Sequence, residues 1–273
     1  MDKSKRSRAL IIMFVLALVF LELSIVTSRP KEGNISELMR EAVLHETEKV
    51  NLFGLVEANP SVVSGMSVTC ILLILALIIR IFVIPQFKYV PGKLQLALET
   101  LVGYFDDLAK SYSPHRNKFL GVYVFGAGVY ICLGTLFELL GLQVINTLGH
   151  SMALPAPLAD INGAIAMGCL SYLVILSGGI AGNGLKGIGL TLKEFSLPVS
   201  MSFRLFGALL SGLLVTELVY FYIHLSYILP VVVAVLFTLI HALVQAYVLT
   251  LLTAIFYGEV SEKHEKKKKD SRK

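Results

Sequence analysis

The segment Leu197–Tyr222, LPVSMSFRLFGALLSGLLVTELVYFY, decides how this chain must fold. It sets one arginine, Arg204, inside an otherwise apolar stretch long enough to cross a bilayer as a helix. A guanidinium at the centre of a bilayer costs at least about 2.5 kcal/mol on insertion scales, and its very high pKa keeps it charged. Arg204 must therefore face protein or water. The next apolar segment, Pro230–Tyr257, PVVVAVLFTLIHALVQAYVLTLLTAIFY, carries His241 and Gln245 within it. Ile223–Leu229 between the two is short enough only for a turn joining antiparallel neighbours. Counting from that turn, Arg204 lies 18 residues before Tyr222 and Gln245 lies 17 residues after Ile228, so a cation and a neutral amide share one level near mid-membrane.

Composition agrees. A mean hydropathy of +0.75 with 55% hydrophobic residues lies outside the range of soluble domains and describes a polytopic, all-helical membrane protein. The formal charge of +5 gathers in loops and at the ends, without the aromatic-interleaved basic face that nucleic acid would need. That distribution suits membrane topology and lipid headgroups. Cys70, Cys132 and Cys169 all sit in apolar runs and lack CxxC spacing, so they read as small buried hydrophobes with no metal or redox role.

Working outward, residues 1–28 place Lys3, Lys5, Arg6 and Arg8 ahead of the apolar run Ala9–Leu21, the layout of a signal peptide or an uncleaved signal anchor. Residues 29–61 form a polar, glutamate-rich exported segment. Residues 62–258 form the membrane domain. Its first span is Val62–Ile84, with Arg80 near enough to the far end to snorkel. In the basic connection Pro85–Lys118, Leu94, Leu98, Leu101, Phe105 and Leu108 recur at helical spacing, which predicts an amphipathic helix along the membrane surface. Phe119–Leu140 and Ile161–Leu185 are the next spans, followed by the two of the C-terminal hairpin and a basic tail over 259–273. The basic loops alternate with Gly141–Asp160 and Ile223–Leu229, which contain no Lys or Arg. The alternation predicts five mature spans, an exported N-terminus and a cytoplasmic C-terminus.

RLFG inside an apolar span, followed by an apolar helix with a central glutamine and a basic tail, resembles subunit a of the F-type ATP synthase membrane sector. The resemblance extends upstream to VPGKLQLALETLVGYFDDLAKS (Val90–Ser111) and PLADINGAIA (Pro157–Ala166) and covers roughly Val62 to Glu262. It implies an ion-conducting stator in a bacterial plasma or inner membrane. Its partners would be a c-ring of small hairpin subunits, peripheral stalk b subunits and the rest of the ATP synthase. It implies a long tilted C-terminal hairpin, no cofactor, no metal and no catalysis by this subunit alone. Arg204 would then meet each rotor carboxylate, favour its ionised form and bar direct passage between two half-channels. Gln245 matches the family's central glutamine. Glu217, about 20 Å further along the same helix, with Glu138, Asp160 and Asn162, resembles the polar outer pathway, although Asp160 has a competing role as a helix N-cap. His241, one turn outward from Gln245, is a proton relay or a neutral structural donor.

The chain also departs from the family pattern. Ala208 stands where an asparagine is usual, and Leu213 and Thr238 stand where an interacting Glu and His are usual. Glu217 and His241 lie roughly 13 Å apart by the hairpin count, so the outer channel is expected to be rearranged, with water between separated polar groups. No GxxxxGK[ST] sequence occurs, so nucleotide chemistry would belong to partner subunits. The competing functions are a secondary transporter, for which Gly178, Gly179, Gly182 and Gly184 offer a loosened segment, and a membrane scaffold, which leaves the intramembrane polar residues unexplained. The sequence leaves open whether the ion is H⁺ or Na⁺.

Overall fold

Two helix caps tied to each other organise one end of the bundle. Asn59 precedes Pro60, whose missing N–H and fixed φ suit the first helical position. Asn59 caps helix α1 (Pro60–Ile78) by accepting from Ser61 N at 3.0 Å. Asp160 caps α4 (Ile161–Asn183) through Oδ1, which accepts from Asn162 N at 2.6 Å. Its other oxygen, Oδ2, accepts from Asn59 Nδ2 at 2.6 Å. A computed structural model supplies these coordinates and describes residues 49–52, 56–145, 147, 149, 151–221 and 229–262, with single positions between 12 and 40. The expected signal segment and most of the basic tail lie outside the described residues.

The described chain is helical apart from two small antiparallel hairpins at the capped end, β1 (Val50–Leu52) with β2 (Val56–Ala58) and β3 (Gln143–Ile145) with β4 (Ser151–Ala153). Five helices are long and apolar enough to cross a membrane: Pro60–Gln86, Asn117–Leu140, Ile161–Asn183, Ser196–Thr216 and Val235–Ser261. The first runs from α1 through a π-helical turn at Ile79–Val83, which contains Arg80, and a 3₁₀ turn at Ile84–Gln86. Pro85 has no amide hydrogen to return to the preceding turn, so regular α-helix stops short of it.

Helix α2 (Lys93–Tyr112) forms over the expected amphipathic stretch, but only its second half is buried. Phe105 and Ala109 enter the core, packed near Leu120 and Val124 of α3 (Asn117–Phe137), while Leu94 and Leu101 stay exposed.

Helix α4 is the central post. Helix α6 (Ser196–Phe221) packs chiefly against it, while α8 (Leu239–Ser261) packs on both α4 and α3, most extensively on α3. The C-terminal segments are therefore antiparallel neighbours whose mutual contact is narrow. Between them lie residues 222–228, outside the described residues, then the short α7 (Leu229–Val233) and a π-helical turn, Ala234–Thr238.

Glycine makes the α4 packing possible. A Cβ on Gly178 would sit 2.5 Å from the Tyr257 ring, and one on Gly182 would collide with the Ser261 backbone. Gly184, at φ +60, ends α4 and turns the chain into α5 (Leu185–Lys193). That helix folds back so closely that Gly187 meets the backbone of Gly179, and Tyr172 donates to Thr191 O at 3.0 Å. The glycines expected to loosen this segment instead let backbones approach, the small-residue packing of membrane helices. The end opposite the caps is closed by Asn183 Nδ2, which donates to the carbonyls of Val260 (2.9 Å) and Glu262 (2.8 Å), and by a 3.0 Å His115–Ser261 hydrogen bond. The cysteines are free, but Cys70 and Cys169 are exposed on helix surfaces and only Cys132 is partly buried. An apolar helix face turned to lipid has the same composition as a core, so the expectation of burial failed.

Gly178→Val is expected to destabilise the protein by about 1–3 kcal/mol through overpacking against Tyr257, read as a lower melting temperature in detergent. Gly126→Ala, which has open space around it, should melt unchanged. Asp160→Ala removes a cap worth about 1 kcal/mol and leaves the Asn59 amide without its carboxylate partner. It should lower the melting temperature more than Asn162→Ala does.

Candidate functional site

Helix α6 buries one face and leaves the other open. Leu197, Met201, Leu205 and Leu209 are inside, while Ser200, Phe203, Arg204, Gly207 and Ser211 are exposed. The spacing of the open positions is that of a single helix face. Arg204 stands near the middle of this apolar span, with small residues above and below it and no carboxylate partner among the described residues. A Cβ on Gly207 would touch nothing within 4 Å, so this face of α6 is open. Leu239, Ile240, Leu243, Val244 and Tyr247 of α8 form an exposed apolar face as well.

Gln245 is 6% exposed, and its Nε2 donates to Arg204 O at 3.3 Å. The two residues do meet at one depth. The amide holds the backbone of α6, however, and not the guanidinium. Gln245 Oε1 is buried without a hydrogen-bond partner among the described residues.

One turn along α8, His241 is half-buried and stacks on Phe237 with ring centroids 5.6 Å apart. Its Nδ1 lies 2.6 Å from Phe237 O. A carbonyl can only accept, so Nδ1 carries the hydrogen, and Nε2 of the neutral ring is left as an acceptor. Phe237 belongs to the π-helical turn. Such turns recur at functional sites because they displace side chains from α-helical register.

His241 shares a cavity of about 10 Å³, room for one water, with Glu138 from the 3₁₀ turn Glu138–Leu140 that ends α3. Its walls include Ala208, Leu213 and Thr238, the three positions at which usual polar groups are missing.

Asp160 and Asn162 lie elsewhere. They line a larger cavity of about 850 Å³ between α1, α3 and α4, with Asn59, Ser61 and Tyr130. Ser61 Oγ is buried there without a partner among the described residues. Glu138 does not reach that cavity, so the outer cluster expected from sequence divides into two places. Both Asp160 oxygens are committed to helix caps. The side chain of Glu217 lies outside the described residues, although its backbone is part of α6. Asn59 and Ser61 were missed in the sequence; the Asn-Pro start of α1 was the signal that could have marked the first of them.

A buried amide is thus bound to the backbone of an exposed mid-span arginine, within five candidate membrane spans. The family model described as ATP synthase A chain matches residues 64–258, which takes in Glu138, Asp160, Asn162, Arg204, Glu217, His241 and Gln245, and the chain belongs to that family, as a multi-pass membrane subunit of an ATP synthase.

Proposed function

We propose that this subunit is the ion-conducting stator of a rotary motor, with Arg204 separating two half-channels that load and unload carboxylates on a ring of small hairpin subunits. The observation that carries this is the exposure of Arg204. A cation that cannot neutralise itself, set in an apolar span and unpaired within its own described chain, calls for water or an anionic partner at that depth. A passing rotor carboxylate fits the requirement. Close to the guanidinium its ionised form is favoured, so its bound ion leaves. The small exposed residues Ser200, Gly207 and Ser211 on the same face let another helix approach.

In this reading the capped end of the bundle is the outer side and the end bearing Ser261 is cytoplasmic, as the basic loops indicate. The half-buried α2 then lies along the cytoplasmic surface of a bacterial plasma or inner membrane. Peripheral stalk b subunits complete the stator. Gln245 fixes the register between α6 and α8, so that Arg204 stays at one depth while the ring turns. Nucleotide chemistry belongs to other subunits.

Arg204→Gln in the assembled complex is expected to abolish ATP-driven ion pumping into inverted vesicles while subunit content is unchanged. Pumping at the unmodified rate would exclude the proposed role. Gln245→Leu removes a hydrogen bond worth on the order of 1 kcal/mol and should lower coupled pumping without dissociating the complex.

A further inference from the structure

The small cavity between α3, α6 and α8 carries more than the family pattern does. Two ionisable side chains line it, Glu138 and His241, and the other lining residues are Ala208, Leu209, Gly212, Leu213, Phe237 and Thr238. The positions at which a Glu–His pair is usual, Leu213 and Thr238, are walls of the same space. Chemistry absent from those two positions is therefore supplied to the same cavity from α3 and from one turn further along α8.

We infer that Glu138 and His241, bridged by one water, form the proton relay of the outer half-channel, in place of a direct pair on α6 and α8. This rests on the stator function proposed above and assigns H⁺ as the ion. Three geometric facts carry it. The cavity lined by Glu138 and His241 is about 10 Å³, room for one bridging water. Phe237 O holds the Nδ1 hydrogen, so Nε2 is the basic nitrogen. His241 lies one turn from Gln245, which touches Arg204, so a proton leaving it is already near the level of the guanidinium.

The proton balance is simple. The Glu138 carboxyl gives its proton to the water, which passes one to Nε2, leaving a carboxylate and an imidazolium. Nε2 then releases the proton inward to the ring carboxylate, and Glu138 is reprotonated from the outer side. No other group changes state. Glu138 and His241 are the ionisable groups among the described lining residues, and Thr238 adds a hydroxyl to the wall.

The test uses the intact ATP synthase in liposomes, with ATP-driven acidification and passive H⁺ conduction after removal of the soluble sector as readouts. Glu138→Gln and His241→Gln are each expected to lower both readouts by about 10²-fold or more, the scale of a lost proton-transfer group. Groups acting in series lose function once, so the double variant should be no worse than the poorer single. Adding Leu213→Glu and Thr238→His to the double variant should restore conduction by returning the pair to α6 and α8. Normal conduction in either single variant, a multiplicative loss in the double, or a requirement for Na⁺ would overturn the relay. Ring copurification confirms that each variant is assembled, and Glu138→Asp, which keeps the carboxyl, should retain measurable conduction. Arg204→Gln separates the two levels of inference. If it blocks pumping while the Glu138 and His241 variants conduct normally, the relay fails and the stator stands; if it also pumps, the stator function fails.

Discussion

The structure depends on the cost of holding a permanent cation in a low-dielectric slab. A Coulomb interaction that is worth about 1 kcal/mol at 4 Å in water is several-fold larger near protein and lipid. Arg204 therefore imposes conditions on everything near it. Its helix must present it to something polar, its depth must be held, and bulk water must not connect the two sides through it. The open face of α6 meets the first condition and the Gln245 contact with Arg204 O meets the second. Burial of Leu205 and Leu209 behind the arginine closes the protein side.

Holding that depth falls to α4. Because α6 and α8 meet each other narrowly, the distance between them is set by what each packs against, and both pack on α4. The glycines of α4 bring Tyr257 and the end of α8 into backbone range. Ser202 on α6 approaches Gly168 just as closely, and its Oγ donates back to Pro198 O at 2.6 Å without needing a partner across the interface. In lipid, where apolar surface gives helices no reason to associate, this close approach is the main source of cohesion. A post on which both helices pack keeps the fixed charge at one height.

Depth was legible in the sequence; facing was not. At 1.5 Å per residue, counting from a turn places Arg204 and Gln245 together, and the structure joins them by a hydrogen bond. Hydropathy alone marks the five candidate spans, since about 20 apolar residues in sequence have few alternatives. The direction in which a side chain points around its helix axis depends on packing partners and on turns that break α-register. The π-helical turn at Ala234–Thr238 inserts a residue without a full turn, so faces on either side of it cannot be counted through. For the same reason Glu138 and Asp160, both near one end of the bundle, looked like a common cluster. They enter different cavities because one follows α3 towards α8 while the other is held at the start of α4 by Asn59. A glycine cluster is ambiguous in a similar way, because a residue without a side chain serves flexibility and close packing equally well.

In the proposed relay, what the cavity must preserve is a place for a proton, and not the helix that supplies the ligand. Once Leu213 and Thr238 are walls, a carboxyl on α6 and a histidine at the end of the π turn are no longer available. The cavity remains bounded by three helices, and any of the three can place a polar group into it. Glu138 comes from a 3₁₀ turn whose end is fixed by the left-handed Gly141, with Gly141 N donating to Glu138 O at 3.1 Å, so its backbone is set before its side chain chooses a rotamer. His241 comes from the first turn of α8, and its ring is held by Phe237 through stacking and through Nδ1. Both groups are oriented by their own local backbone, so neither needs the other to stay in position.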